Sequence, residues 1–138
     1  MRKNQKARSF VTIMIVIALS ALLLRLGLHR LIIFNIEQNQ LIAQGNLKLL
    51  STALENFAKS NKGDYPSQIK QLTKSDPAYL ERNYIADSPI KGYEYDCQRL
   101  DPKGYNCKAE PVNCKLTGRN TYTVSTGGLI ITENCDKE

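Results

Sequence analysis

Apolar residues run almost unbroken from Phe10 to Leu24 (FVTIMIVIALSALLL), thin out through RLGLHRLIIF to Phe34, and never again form a stretch of that length. The first segment alone is about 15 residues, roughly 22 Å of helix, which is short of a hydrocarbon core about 30 Å thick. Extended to Phe34 it is long enough, while admitting Arg25, His29 and Arg30. With Phe10 at the inner surface, His29 and Arg30 reach the outer interface. Arg25 then lies about a turn inside and must snorkel outward, against the N-terminal lean of helical side chains. The pattern predicts a basic leader at 1–9, a transmembrane segment at 10–34 and an exported head at 35–138. The orientation follows from Lys and Arg in the leader, which stay on the cytoplasmic side. A cleaved signal at Ala18-Leu19-Ser20 competes with this reading, but only eight apolar residues precede that site and more apolar sequence follows it.

After Asn35 polarity rises and helical periodicity persists. Leu47, Leu50, Leu54 and Phe57 fall at i, i+3, i+7 and i+10, with Ala43 and Ala53 beside them. Asn46, Lys48, Glu55 and Lys59 read as a solvated side. No proline precedes Pro66, so the pattern predicts one helix from the membrane to about residue 61, roughly 50 residues and on the order of 75 Å. Gly45 is its expected weak point. Asn61-Lys62-Gly63-Asp64 should stop it, with Gly63 as a left-handed cap. Ser67 is then the expected cap of a short helix burying Ile69 and Leu72. Asp76-Pro77 reads as a second helical start that buries Tyr79 and Leu80.

From Gly92 the period changes to two. YEYDCQRL and YNCKAEPV flank Asp101-Pro102-Lys103-Gly104 and predict a β-hairpin, and TYTVSTGGLIITE predicts a further strand pair or one strand broken at Gly127-Gly128. A three-residue hairpin loop would set Cys97 opposite Cys107 and leave Cys114 for Cys135. An even number of cysteines in a small exported domain reads first as disulfides. Zinc ligation favours close pairs, whereas the gaps here are nine, six and twenty residues.

Charge adds less than it first suggests. Six of the 19 Lys and Arg (Arg2, Lys3, Lys6, Arg8, Arg25 and Arg30) precede residue 35, leaving 13 against 13 Asp and Glu. The head is therefore neutral, without the basic surface that nucleic-acid binding needs. The only His lies in the membrane segment, and neither a nucleophile arrangement nor a phosphate loop stands out. Carboxylates such as Asp87 and Glu94 read as solvated charges. The chain is not expected to be an enzyme, and no cofactor or metal is implied.

The order of these parts resembles the type IV pilins and type II secretion pseudopilins. The residues that carry the resemblance are NLKLLSTALENFAKSNKGDYPSQIKQL (Asn46–Leu72), including Gly63-Asp64-Tyr65-Pro66. PIKGYEYD and the final TYTVSTGGLI are similar to the family's first and last strands. The resemblance implies an α+β fold, a long N-terminal helix packed on a small antiparallel sheet. It also implies a structural role in a secretion or pilus machine of the cytoplasmic (inner) membrane, with the head in the periplasm or cell exterior. The implied partners are other pilin-like subunits, an inner-membrane assembly platform and a prepilin peptidase. That peptidase would cut between Ser9 and Phe10. The family's acid at the fifth mature position, which neutralises a neighbour's amine in an apolar filament core, would stand where this chain has Met14. Met14, Ser9 before the cut, and Arg25 within the span are departures compatible with a minor, initiating or non-polymerising member. The calcium loop of major pseudopilins is not recognisable at Asn134–Glu138. The alternative is an anchored extracytoplasmic binding module of the same fold that never polymerises.

Overall fold

The computed structural model describes residues 3–136, with side chains from Ser9 onward. The chain divides into two compact units, Met1–Phe34 and Asn35–Glu138. Helix α1 (Lys3–Ser60) contributes to both. In the first unit its apolar side chains from Phe10 to Phe34 are exposed except half-buried Ile33. Within the apolar stretch the Ser20 hydroxyl is satisfied locally, because Ser20 Oγ donates to the Val16 carbonyl at 2.7 Å. That bond is the usual way a serine sits in an apolar helix.

In the second unit, residues 35–60 of α1 bury one stripe, Ile36, Ala43, Leu47, Leu50, Ala53, Leu54 and Ala58. The stripe packs on a four-stranded antiparallel sheet, in the order β1 (Tyr93–Asp101), β2 (Gly104–Pro111), β3 (Asn120–Ser125), β4 (Leu129–Asn134). The inner face is period-two, as the sequence predicts: Tyr93 and Tyr95, then Tyr105, Cys107 and Ala109, then Tyr122 and Val124. Ala109 lies between Tyr95 and Tyr122 in the ladders, a small residue separating two large ones. The α+β layout read from the sequence is the one the chain adopts, and it is consistent with a pilin-like fold.

Helix α1 does not break at Gly45. It ends in a Schellman arrangement, with Lys62 and Gly63 both at positive φ and the Gly63 amide donating to the Ala58 carbonyl at 2.8 Å. Nothing lies within 4 Å of a Cβ built at Gly45. Gly45→Ala is therefore expected to stabilise the unit by about 0.5–1 kcal/mol, read as a rise in the thermal midpoint.

Between helix and sheet, two expectations are corrected. Ser67 does not cap α2 (Lys70–Lys74): the residue at the cap position is Ile69, and Gln71 Oε1 instead accepts from the Ser67 amide at 3.0 Å. Ile69 and Leu72 are buried as expected. No helix starts at Pro77. The amides of Tyr79 and Leu80 both donate to the Leu72 carbonyl, which folds residues 75–83 back as bends. Leu80 is buried, and half-buried Tyr79 meets Phe57 edge to face at 5.6 Å.

The hairpin loop is also shorter than expected. Only Pro102 and Lys103 lie between Asp101 and Gly104, with Asp101 Oδ1 accepting from the Lys103 amide at 2.8 Å. That loop alone would set Cys97 opposite Lys108. A bulge at Gln98 shifts the register by one, so Cys97 faces Cys107 after all. The same bulge turns Arg99 outward and brings Leu100 against the core. TYTVSTGGLIITE resolves as two strands, β3 and β4, joined through Gly127 and Gly128, both at positive φ.

Candidate functional site

The predicted processing residues lie in the first unit. Ser9 and Phe10 sit inside α1 with exposed side chains, and Met14 is likewise exposed one turn further on. The leader's remaining side chains, residues 1–8, fall outside the described residues. This helix contains one segment long and apolar enough to cross a membrane.

The cysteines lie in the second unit, where the structure joins Cys97 to Cys107 and Cys114 to Cys135. The first bridge links neighbouring strands on the core side of the sheet. The second ties the residue after β4 to the loop after β2. Cys114, Cys135 and Asp136 cluster closely enough to suggest a metal, but both sulfurs are committed to the disulfide and offer no thiolate. Of the carboxylates read as solvated, Asp87 is an exposed partner of Arg82 at 3.1 Å and Glu94 is exposed.

The feature that sequence reading missed is on the helix. Asn46 and Glu55 do not belong to a solvated side. They border the buried stripe, where the sheet is wide enough to cover them. Asn46 Nδ2 donates to Tyr95 Oη at 2.9 Å. Glu55 Oε1 accepts from Tyr105 Oη at 2.9 Å and from the Gly127 amide at 2.8 Å, and Oε2 accepts from Tyr65 Oη at 3.1 Å. Because Tyr105 has one proton and gives it to the carboxylate, Ser51 Oγ must donate to Tyr105 Oη across their 2.9 Å contact. One side chain thus joins α1, the segment after it, β2 and the β3–β4 turn. Farther along the helix, Asn39 and Gln40 reach Thr117 and Arg119 in the same manner. The available signal was tyrosine: seven Tyr against three Phe and no Trp mean many buried hydroxyls, each needing a partner.

This arrangement fastens the head together. Both oxygens of Glu55 are occupied by donors within the fold. Burial pushes the Tyr105 phenol up to about 12, with the Ser51 bond pulling the other way and Glu55 adding to the rise. Burial raises Tyr93, Tyr95, Tyr65 and Tyr84 as well. A phenol whose folded pKa exceeds its unfolded value keeps its full stabilising contribution below that unfolded value. It loses the contribution as pH rises from about 10 through about 12. The head should thus hold its stability to about pH 10 and weaken above it. In urea titrations at about pH 11, between the unfolded and folded values, tyrosinate absorbance at 295 nm from the buried rings should appear together with unfolding rather than before it.

No protein-family model, curated protein or solved structure matches this chain.

Proposed function

We propose that this chain is a structural pilin-like subunit, of the minor or atypical pseudopilin kind, in a type II secretion or type IV pilus-type envelope machine. The observation that carries the reading is how α1 is used: one stretch exposes nearly all its apolar side chains, and the other is the spine of a disulfide-bonded α+β head. An apolar helix of that length is stored in a membrane until it packs beside similar helices. The head then forms the outer surface. Disulfides belong on the oxidising side of the membrane, which agrees with a cytoplasmic N-terminus, a single pass through the inner membrane and a head in the periplasm or cell exterior. Its partners on this reading are other pilin-like subunits, the inner-membrane assembly platform and a prepilin peptidase acting between Ser9 and Phe10.

Met14 and Arg25 favour a second reading, an anchored module of the same fold that does not polymerise. Without an acid at Met14 the chain has nothing at that position to neutralise a neighbour's amine in an apolar core. Two measurements test the proposal. Intact mass of the membrane-extracted protein should show a chain beginning at Phe10, and cross-linking in membranes should join it to other pilin-like subunits. A chain retaining Met1–Ser9, with no such cross-links, would replace the proposal with the anchored module.

A further inference from the structure

Arg25 is the one charge enclosed by the apolar segment. The basic leader ends at Arg8, and His29 and Arg30 close the segment at its other end. With those ends at the two membrane surfaces, Arg25 lies roughly 7.5 Å inside Arg30. Two features of the chain leave that charge without a neutralising group. No Asp or Glu precedes Glu37, so the span itself carries no carboxylate. The Cα–Cβ bond of a helical residue also leans toward the N-terminus, which here is the cytoplasmic side. Arg25 therefore starts out pointing away from the nearer lipid headgroups. Its side chain is exposed on α1, as are Ala18, Ala21 and His29 on the same face.

We propose that Arg25 is the docking site for a transmembrane helix of a different polypeptide, one that carries an Asp or Glu at the depth of Arg25. Ionisable groups within a span pair with one another inside helix bundles, because lipid offers them nothing. The guanidinium presents a planar fork of donors that a carboxylate matches with two hydrogen bonds. A second copy of this chain is the wrong partner. Two copies in the same orientation set Arg25 against Arg25 and bring no acid within the span. Ala21 and Ala18, one and two turns before Arg25, are small enough to let the partner's backbone come close on that face. The inference rests on residues 10–34 spanning the membrane, and it holds whether or not the chain polymerises.

The test uses the full chain in its native membranes, with a photo-cross-linking amino acid in place of Leu22, which flanks the Arg25 face. Illumination should yield an adduct whose partner, sequenced by mass spectrometry, carries an Asp or Glu within an apolar span. Arg25→Leu makes the segment more apolar and should insert normally, yet it should reduce that adduct by about fivefold or more. Arg25→Lys should keep most of it. Changing the partner's acid to Arg should abolish the adduct with the native chain, and Arg25→Asp should restore it, which proximity alone would not do. Adducts to phospholipid alone would assign Arg25 to a headgroup, and adducts to a second copy would make the face homotypic. Either result overturns the proposal, as does a partner without an acid in its span or an adduct that survives Arg25→Leu. Release of the chain by alkaline carbonate would overturn it differently, by removing the membrane-spanning reading on which it rests.

Discussion

Leu54→Ala should unfold the head at a markedly lower temperature. Leu54 is fully buried at the centre of the α1 stripe, in one cluster with Leu47, Leu50, Tyr93, Tyr95, Tyr122 and Val124. Removing its isobutyl group loses transfer free energy and leaves a cavity among rings that cannot collapse into it. The expected cost is about 2–5 kcal/mol, against a stability of about 5–15 kcal/mol for a domain of ordinary size. Lys59→Ala, on the exposed side of the same helix, should stay within about 0.5 kcal/mol. Near-UV tyrosine circular dichroism is the appropriate probe, because the helical signal includes the apolar segment and need not follow the head. If Leu54→Ala left the melt unchanged but abolished association with other subunits, the stripe would be an interface and its assignment to the core would be wrong.

The Cys114–Cys135 bridge should be the second large contributor. It closes a loop with a sequence separation of 21, between the segment after β2 and the end of β4. Restricting the unfolded chain over such a loop is worth about 3 kcal/mol. Replacing both cysteines with Ser should therefore lower the unfolding free energy by about that amount in urea titrations. The loss should also be local. The Cys135 amide donates to the Arg119 carbonyl at 2.9 Å just beyond the last ladder pair, so exchange should quicken first along Leu129–Asn134. Exchange that quickened equally on β1 and β2 would make the bridge a general staple rather than the fastening of the edge strand. Gly118, in the loop this bridge closes, adds a related constraint. A Cβ there would run into the Tyr93 ring, whose hydroxyl bonds the Asn120 carbonyl, so this loop packs tightly on the core.

Much of this molecule was determined by interactions between near neighbours, and those were legible in the sequence. The apolar run from Phe10, the stripe at Leu47, Leu50 and Leu54, the stop near Gly63, the period-two strands and the Asp-Pro-Lys-Gly turn each follow from local periodicity or backbone preference. The cysteine partners followed too, because the two strands flanking that turn bring Cys97 and Cys107 near one another, although the register that sets them opposite comes from the bulge. Ser9 and Phe10 were legible as a junction of composition, basic before and apolar after. What tertiary structure alone decided were matters of reach and competition. Whether Asn46 and Glu55 are solvated depends on how far the sheet extends past the stripe, which no window of helix records. Asp76-Pro77 carries the local signal for a helix, but the Leu72 carbonyl captures the amides of Tyr79 and Leu80 and bends the chain back. The hairpin could satisfy its cysteines with a longer loop or with a bulge, and the bulge prevails where it turns Arg99 to solvent and Leu100 to the core. That β4 is an edge strand likewise follows only once four strands have been placed in order, since being last in a sheet is a property of neighbours and not of residues.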